Sequence, residues 1–250
     1  MLGSGILGIS TGALLGLLGG GGSVIAVPVM VYVLGMDTKS AIATSLLIVG
    51  VSSFIAAFTY HLNNHVRVRT ALLFAGAGCL GSYVGAEIGK HISDALQMTL
   101  FAIAMAIVSA MMLVPKHASQ AEHSHVSTKT QLNAVLAAGA FAGVLTGLLG
   151  VGGGFIIVPA LALLLRLPMK QAIGTSLLII ALNSVAGAIT YGQFVRLSGP
   201  VIPFAIGTIA AAPVAGHFSK HIQQEKLKLG FALSLIALSI WIFVRQFVHL

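Results

Sequence analysis

Charged residues are scarce in this chain of 250 residues, where Asp, Glu, Lys and Arg together make up only 7%. A soluble globular protein carries about 25% charged residues, so this composition cannot cover a water-facing surface. Acidic residues are rarest, with five against 13 basic ones. The single cysteine, Cys79, excludes an internal disulfide framework and a cysteine-based metal site. The shortage of charge predicts that the solvent of this chain is lipid.

Apolar sequence is what the chain has in excess, at 57% of residues and a mean hydropathy of +1.03. Ten apolar segments follow one another, and most approach the roughly 20 residues that a membrane-crossing helix needs. Two are shorter, and each is interpreted as a half-helix or as one arm of a re-entrant hairpin. The segments lie at 2–18, 23–35, 40–62, 69–89, 95–114, 132–149, 154–166, 171–193, 199–219 and 228–248.

A tandem duplication relates the two halves. Residues 16–60 recur at 147–191 with a constant offset of 131 residues, and roughly half of the positions are identical. Five segments in each half, an odd number, predict that the second repeat is inverted in the membrane. The expected fold is an all-α polytopic membrane protein of two inverted repeats, residues 1–115 and 132–250, joined by a polar linker at 116–131.

Basic residues are distributed unequally between the two predicted faces of the membrane, and the richer face is expected to be cytoplasmic. This places the linker inside and both termini outside. The linker histidines lack the spacing of metal ligands, which favours a solvated connection. The richer face holds Arg67, Arg69, Lys116, Lys129, Arg166, Lys170, Lys220, Lys226 and Lys228, and the other holds Lys39, Lys90, Arg196 and Arg245.

Each repeat contains a glycine cluster, at 19–23 and at 150–154. A run of glycines breaks a helix and frees backbone N–H groups, which favour an anion at the start of the next helix. Broken helices in paired positions are typical of transporter substrate sites. Close helix packing through small residues is the alternative. The candidate ligands here are Gly20, Gly21, Gly22, Ser23, Gly152, Gly153 and Gly154.

Neutral polar residues lie in the long helix that follows each cluster: Thr44 and Ser45, Thr175 and Ser176, and Asn183. Their side chains are candidate donors to an anion, and the alternative for the hydroxyls is a bond back to their own helix. Two tyrosines end the same helices, Tyr60 and Tyr191, and are expected in the interfacial aromatic belt.

Few ionisable residues are available to couple transport to protons. Glu87 lies within an apolar segment, and His61 ends another. Glu87 precedes Lys90 by three residues, so a helical ion pair is the simpler interpretation of this acid. No metal site, cofactor or nucleic-acid partner is expected.

Taken together, the paired glycine–proline and Thr-Ser blocks resemble the TauE/SafE, or sulfite exporter, family of membrane transport proteins. The resemblance extends over essentially the whole chain. The blocks are Gly16-Leu17-Leu18-Gly19-Gly20-Gly21-Gly22-Ser23-Val24-Ile25-Ala26-Val27-Pro28 with Ala43-Thr44-Ser45, and Gly147-Leu148-Leu149-Gly150-Val151-Gly152-Gly153-Gly154-Phe155-Ile156-Ile157-Val158-Pro159 with Gly174-Thr175-Ser176.

This resemblance implies a secondary transporter, expected to be an exporter, of sulfur-containing or organic anions such as sulfite, sulfoacetate or thiosulfate. Alternating access would come from one repeat rocking against the other. A passive anion channel and an intramembrane enzyme are the alternatives. The expected partners are a small anionic substrate and the lipid of the inner (plasma) membrane, and a homo-oligomer is left open.

Overall fold

The computed structural model describes residues 2–113, 128–149, 153–197, 199–219 and 222–248, and every regular element within them is a helix. The linker residues 114–127 lie outside these ranges. The first half contains α1 (Leu2–Leu18), α2 (Gly21–Pro28), α3 (Thr38–Leu62), α4 (Val68–His91) and α5 (Asp94–Leu113). The second half contains α6 (Thr128–Leu149), α7 (Gly154–Pro159), α8 (Met169–Thr190), α9 (Val201–Phe218) and α10 (Gln224–Val248).

Six of these helices are long and apolar enough to cross a membrane: α3, α4, α5, α8, α9 and α10. Leucine, isoleucine and phenylalanine side chains are exposed along their outer faces, as lipid-facing surfaces require. Three such helices in each half preserve the odd number that the sequence predicts. The all-α polytopic fold is therefore confirmed.

The short helices fold back along the helices that precede them. A methyl group added to Gly22 in α2 would overlap backbone atoms of Thr11 and Leu15 in α1. Likewise, a methyl group on Gly153, just before α7, would overlap the Thr146 hydroxyl of α6. Gly22 thus touches residues seven and eleven positions earlier, and Gly153 touches a residue seven positions earlier. In a continuous helix such residues are about 10 Å or more apart, so the chain must reverse between them. α1–α2 and α6–α7 are therefore helical hairpins.

A proline changes the helix type in both short arms. Pro28 ends α2 and Pro159 ends α7, and each is followed by one turn of π-helix, Val29–Val33 and Ala160–Leu164. Proline has no N–H to donate to the preceding turn, so the ladder is interrupted there. The wider π-turn carries the chain past the interruption without ending the helical segment.

Glycines spaced four apart hold α1 against α9 at backbone contact. Methyl groups on Gly8, Gly12 and Gly16 would overlap the backbone at Phe204, Thr208 and Ala212, respectively. The paired positions advance together, so the two helices run parallel. This is the small-xxx-small packing of membrane helices.

The second half repeats this arrangement between α6 and α4. Gly139, Gly143 and Gly147 are the equivalents of Gly8, Gly12 and Gly16, and they pack on the backbone at Phe74, Gly78 and Ser82. Each hairpin therefore packs on a crossing helix of the other repeat, whereas α3 packs on its own equivalent, α8. The helix contacts are unchanged when the two halves are exchanged.

Contacts between loops group the charged residues as the sequence predicts. Lys39 Nζ donates to the carbonyl of Lys90 at 2.8 Å, so these two lie on one face. Arg67 Nε donates to Gln171 at 3.1 Å, which brings Arg67 beside Lys170 on the opposite face. The lysine at the end of α4 also complements the negative end of that helix.

Tyr60 is not in an aromatic belt, and that expectation is wrong. Its side chain is 2% exposed, and its hydroxyl lies 2.9 Å from the Gly16 carbonyl oxygen and 2.6 Å from Ser219 Oγ. Its equivalent, Tyr191, is also fully buried. Tyr60 instead joins α1, α3 and the end of α9, because a buried phenol needs a polar partner.

Replacing Tyr60 with phenylalanine removes this junction while retaining the ring. We expect the free energy of unfolding in detergent to fall by about 1–3 kcal/mol, since two acceptors lose their shared donor. Tyr83→Phe is the matched control, because that side chain is 57% exposed on α4. Equal stability of the two variants would contradict the structural role of Tyr60.

Candidate functional site

The two glycine clusters meet backbone to backbone. A methyl group on Gly20 would overlap the carbonyl group of Gly154, and one on Gly154 would overlap Gly20 Cα. Gly154 also packs on Ile180, which lies half-way along α8. We call the contact of Gly20 with Gly154 the glycine junction. It brings together the tips of both hairpins in the interior of the protein.

Left-handed backbone is what lets the chain reverse at these tips. Gly19 has φ +71° and ends α1, with its N–H donating to the Leu15 carbonyl at 2.9 Å. Gly153 has φ +64° and precedes α7, and its carbonyl accepts from the N–H groups of Ile156 and Ile157. A side chain is strained in this conformation, which explains glycine at both positions.

Part of the predicted site cannot be placed. Gly152 lies outside the described residues. The backbone of Gly21, Gly22 and Ser23 forms the first turn of α2, but the side chain of Ser23 is not described. The site is therefore built from Gly20, Gly22, Gly153 and Gly154 together with the long helices beside them.

Thr44 and Thr175 bind loop backbone from the opposite repeat. The N–H of Arg196 donates to Thr44 Oγ1 at 3.1 Å, and the N–H of Arg67 donates to Thr175 Oγ1 at 3.0 Å. Thr44 therefore connects the start of α3 to the loop after α8, and Thr175 connects the start of α8 to the loop after α3. In the state described, both oxygens already serve a structural contact.

Ser45 and Ser176 adopt the alternative that the sequence left open. Each hydroxyl donates to a carbonyl of its own helix, Ser45 to Ile42 at 2.9 Å and Ser176 to Ile173 at 2.8 Å. Ser176 nevertheless lies beside the first hairpin, because a methyl group on Gly19 would come 2.7 Å from its oxygen. A hydroxyl bound to its own helix still has lone pairs and can rotate.

Asn183 lies in a polar contact between α8 and α4. Its side chain is fully buried against Gly78, and the Cys79 thiol donates to its Oδ1 at 3.7 Å. Ser82 donates to the Asn183 backbone carbonyl at 3.3 Å. Its Nδ2 has no acceptor among the described residues. An amide with its oxygen engaged and its donor unused can bind an acceptor.

The two residues suggested for proton coupling lie away from the junction. Glu87 forms an ion pair with Lys90 at 2.9 Å near the end of α4, as the simpler interpretation predicts. His61 is exposed at the end of α3 and lines an apolar groove of about 190 Å³ with Phe54 and Phe58. The adjacent His65, in the loop, has a pKa lowered by burial and by the nearby charge of Lys170.

Sequence inspection missed a second buried amide, Gln97. It is fully buried near the start of α5, and its Nε2 donates to the Leu148 carbonyl at the end of α6. The Tyr191 hydroxyl lies beside it over Gly89, where a methyl group would come 3.2 Å from Gln97 Nε2. A position near a helix end suggests an exposed amide, so only packing identifies Gln97 as internal.

A methyl group at the glycine junction tests whether this close contact stabilises the fold. We expect Gly20→Ala to lower the free energy of unfolding by about 1–3 kcal/mol, because overpacking forces the hairpins apart. Gly76→Ala in α4 is the control, since nothing lies within 4 Å of the added methyl group and alanine favours the helix. Unfolding in detergent is the measurement, and equal stability of Gly20→Ala and wild type would refute the contact.

Comparison with known proteins agrees with this architecture. A "Probable membrane transporter protein" of Xylella fastidiosa (strain Temecula1) is 33% identical over 248 residues, covering 96% of this chain and 93% of that protein. YdhB of Bacillus subtilis, also a probable membrane transporter protein, is 26% identical over 233 residues, covering 89% and 92%. MJ0441 of Methanocaldococcus jannaschii, with the same description, is 27% identical over 225 residues, covering 84% and 80%.

No solved structure matches the chain. The sequence model of the family described as "Sulfite exporter TauE/SafE" matches residues 4–242. This range includes both glycine clusters and all of the helices except the first two residues of α1 and the last six of α10. A match of this extent identifies the family. The chain is a membrane transporter and belongs to the TauE/SafE sulfite exporter family.

Proposed function

We propose that this transporter exports small sulfur-containing or organic anions of the sulfite, sulfoacetate and thiosulfate class by alternating access. The observation that carries the proposal is the glycine junction, where two broken helices from the two repeats meet half-way along α8. Broken helices at a repeat interface are where secondary transporters bind their substrates. The description of the family as sulfite exporters supports this choice of substrate class.

The chemistry of the site suits an anion. Breaking a helix frees backbone N–H groups, and these carry partial positive charge without the cost of burying a cation. Asn183 adds an unused amide donor on the adjacent helix. Gly20 and Gly154 are in contact in the state described, so the substrate would enter only when the hairpins separate. Rocking of one repeat would open the junction to each side in turn.

Reconstituted protein tests this proposal directly. We expect liposomes containing the purified protein to release sulfite, sulfoacetate or thiosulfate faster than protein-free liposomes, at neutral pH under an imposed pH gradient or potential. Gly20→Ala should reduce the rate at least about tenfold, since the junction can no longer pack in its closed state. Gly76→Ala is the control and should retain the wild-type rate.

Three results of this assay contradict the proposal in different ways. Identical release from protein-containing and protein-free liposomes for all three anions would exclude the substrate class. A leak that never concentrates the anion would show a passive channel instead. A wild-type rate in Gly20→Ala would show that the junction is not on the transport path.

Orientation in the inner membrane follows from charge, and we propose that the face of Arg67 and Lys170 is cytoplasmic. Cysteines placed singly at Arg67 and Arg196, in a Cys79→Ala background, test this. In intact cells we expect a membrane-impermeant thiol reagent to label position 196 and to label position 67 only after lysis. The opposite labelling pattern would invert the orientation, and with it the assignment of the linker to the inside.

A further inference from the structure

Two buried hydroxyls at the contact of α3 with α8 have no hydrogen-bond partner among the described residues. They are Oγ of Ser53 and of Ser184, whose residues are 0% and 1% exposed. The two serines occupy equivalent positions of the repeats, 131 residues apart. Other buried hydroxyls donate to backbone carbonyls, among them those of Ser45, Ser52, Thr146 and Ser176. The Tyr191 hydroxyl also has no partner among the described residues, but Ser53 and Ser184 lack one at equivalent positions. The same exception therefore occurs in both repeats.

The position of this pair is beside the glycine junction. Ser184 lies one helical turn after Ile180, the residue on which Gly154 packs, and so on the same face of α8. Across the contact, a methyl group on Gly50 would lie 3.0 Å from Ser184 Cβ. Ser53 follows Gly50 by three residues and shares that face of α3. The hydroxyls thus belong to a helix pair, α3 with α8, that is its own equivalent when the repeats are exchanged.

An unpartnered hydroxyl at this depth costs free energy that alanine would avoid. Hydrocarbon supplies no water to satisfy it, and the helix carbonyl that usually accepts such a hydroxyl is left unused. Both Ser53 and Ser184 carry this free-energy cost at equivalent positions. This indicates that each hydroxyl has a hydrogen-bond partner in another state of the protein.

We propose that Ser53 and Ser184 donate hydrogen bonds to the transported anion, together with Asn183, when the hairpins separate at the glycine junction. This inference rests on the proposed function and adds two donors to its site. One hydroxyl from each repeat suits an ion with at least two equivalent acceptor oxygens, such as sulfite or a sulfonate. Neutral donors bind the anion without a buried positive charge that would retain it.

Alanine at both serines separates a binding role from a structural one. In liposomes releasing sulfite or thiosulfate, we expect KM to rise about tenfold in Ser53→Ala and in Ser184→Ala, and further in the double variant, because a hydrogen bond to a charged ligand is lost. The temperature of unfolding should stay equal to that of wild type or rise, since an unsatisfied hydroxyl is removed. If the hydroxyls were purely structural, the alanine variants would instead unfold at a lower temperature and keep the wild-type KM.

Ser239→Ala is the matched control. That serine is also buried, but its hydroxyl donates to the Ala102 carbonyl at 3.1 Å, far along the chain in α5. We expect this variant to unfold at a lower temperature with an unchanged KM. An unchanged KM in Ser239→Ala would show that loss of a buried hydroxyl does not in itself raise KM.

A second measurement covers failure of the alanine variants to fold. Cysteine at 53 or 184, in a Cys79→Ala background, should react in membranes with an anionic thiosulfonate reagent before any substrate is added. No reaction at either position would overturn the inference, as would a wild-type KM in the double alanine variant of an active transporter. Absence of flux in the wild type would instead overturn the proposed function and this inference with it.

Discussion

Hydrocarbon offers no hydrogen-bond partner to a peptide group, and the rest of this structure depends on that constraint. Six helices satisfy it alone, because their backbone bonds are internal. The two hairpins do not, since each contains a glycine tip with left-handed backbone, Gly19 in one and Gly153 in the other. Such breaks must be enclosed by protein. The enclosure is mutual, because each hairpin tip packs against the other at the glycine junction.

Glycines at the helix contacts make that enclosure possible, because they have no side chain to hold the backbones apart. Gly8, Gly12 and Gly16 seat α1 on the backbone of α9, and their equivalents seat α6 on α4. Close approach substitutes for the hydrophobic effect, which gives no driving force between helices that are already in lipid. It also locks each hairpin to a helix of the opposite repeat. A displacement of one repeat would therefore move the other repeat's hairpin with it, which links the scaffold to the proposed alternating access.

The two halves share their packing but differ in polar detail. At one hairpin, Tyr60 reaches the Gly16 carbonyl and Ser219. At the other, Tyr191 lies over Gly89 beside Gln97, which donates to the Leu148 carbonyl. Asn183 and its equivalent Ser52 differ in the same way, since Ser52 donates to Ile48 and Asn183 keeps an unused donor. The duplicated scaffold therefore offers the proposed site two unlike halves.

Hydrophobic length and glycine breaks are local properties, so the helices, their number and the repeat are apparent from the printed residues alone. The glycine breaks and the pairing of 16–60 with 147–191 can be read from the printed residues. The reversal at Gly19 was one of two alternatives, which the structure resolves as a hairpin. Gly8, Gly12 and Gly16 are spaced four apart in the sequence, but only the packed structure shows that they contact α9.

Helix packing sets which polar groups take part in hydrogen bonds. It bound Thr44 and Thr175 to loop backbone, turned Ser45 and Ser176 back onto their helices, and buried two tyrosines expected at the membrane surface. Among the residues that the structure describes, it also left Ser53 and Ser184 without hydrogen-bond partners. Whether a hydroxyl is satisfied depends on atoms as far as 200 residues away along the chain, as for Thr208 and Gly8. These atoms approach it only after the helices pack, so no local pattern encodes it.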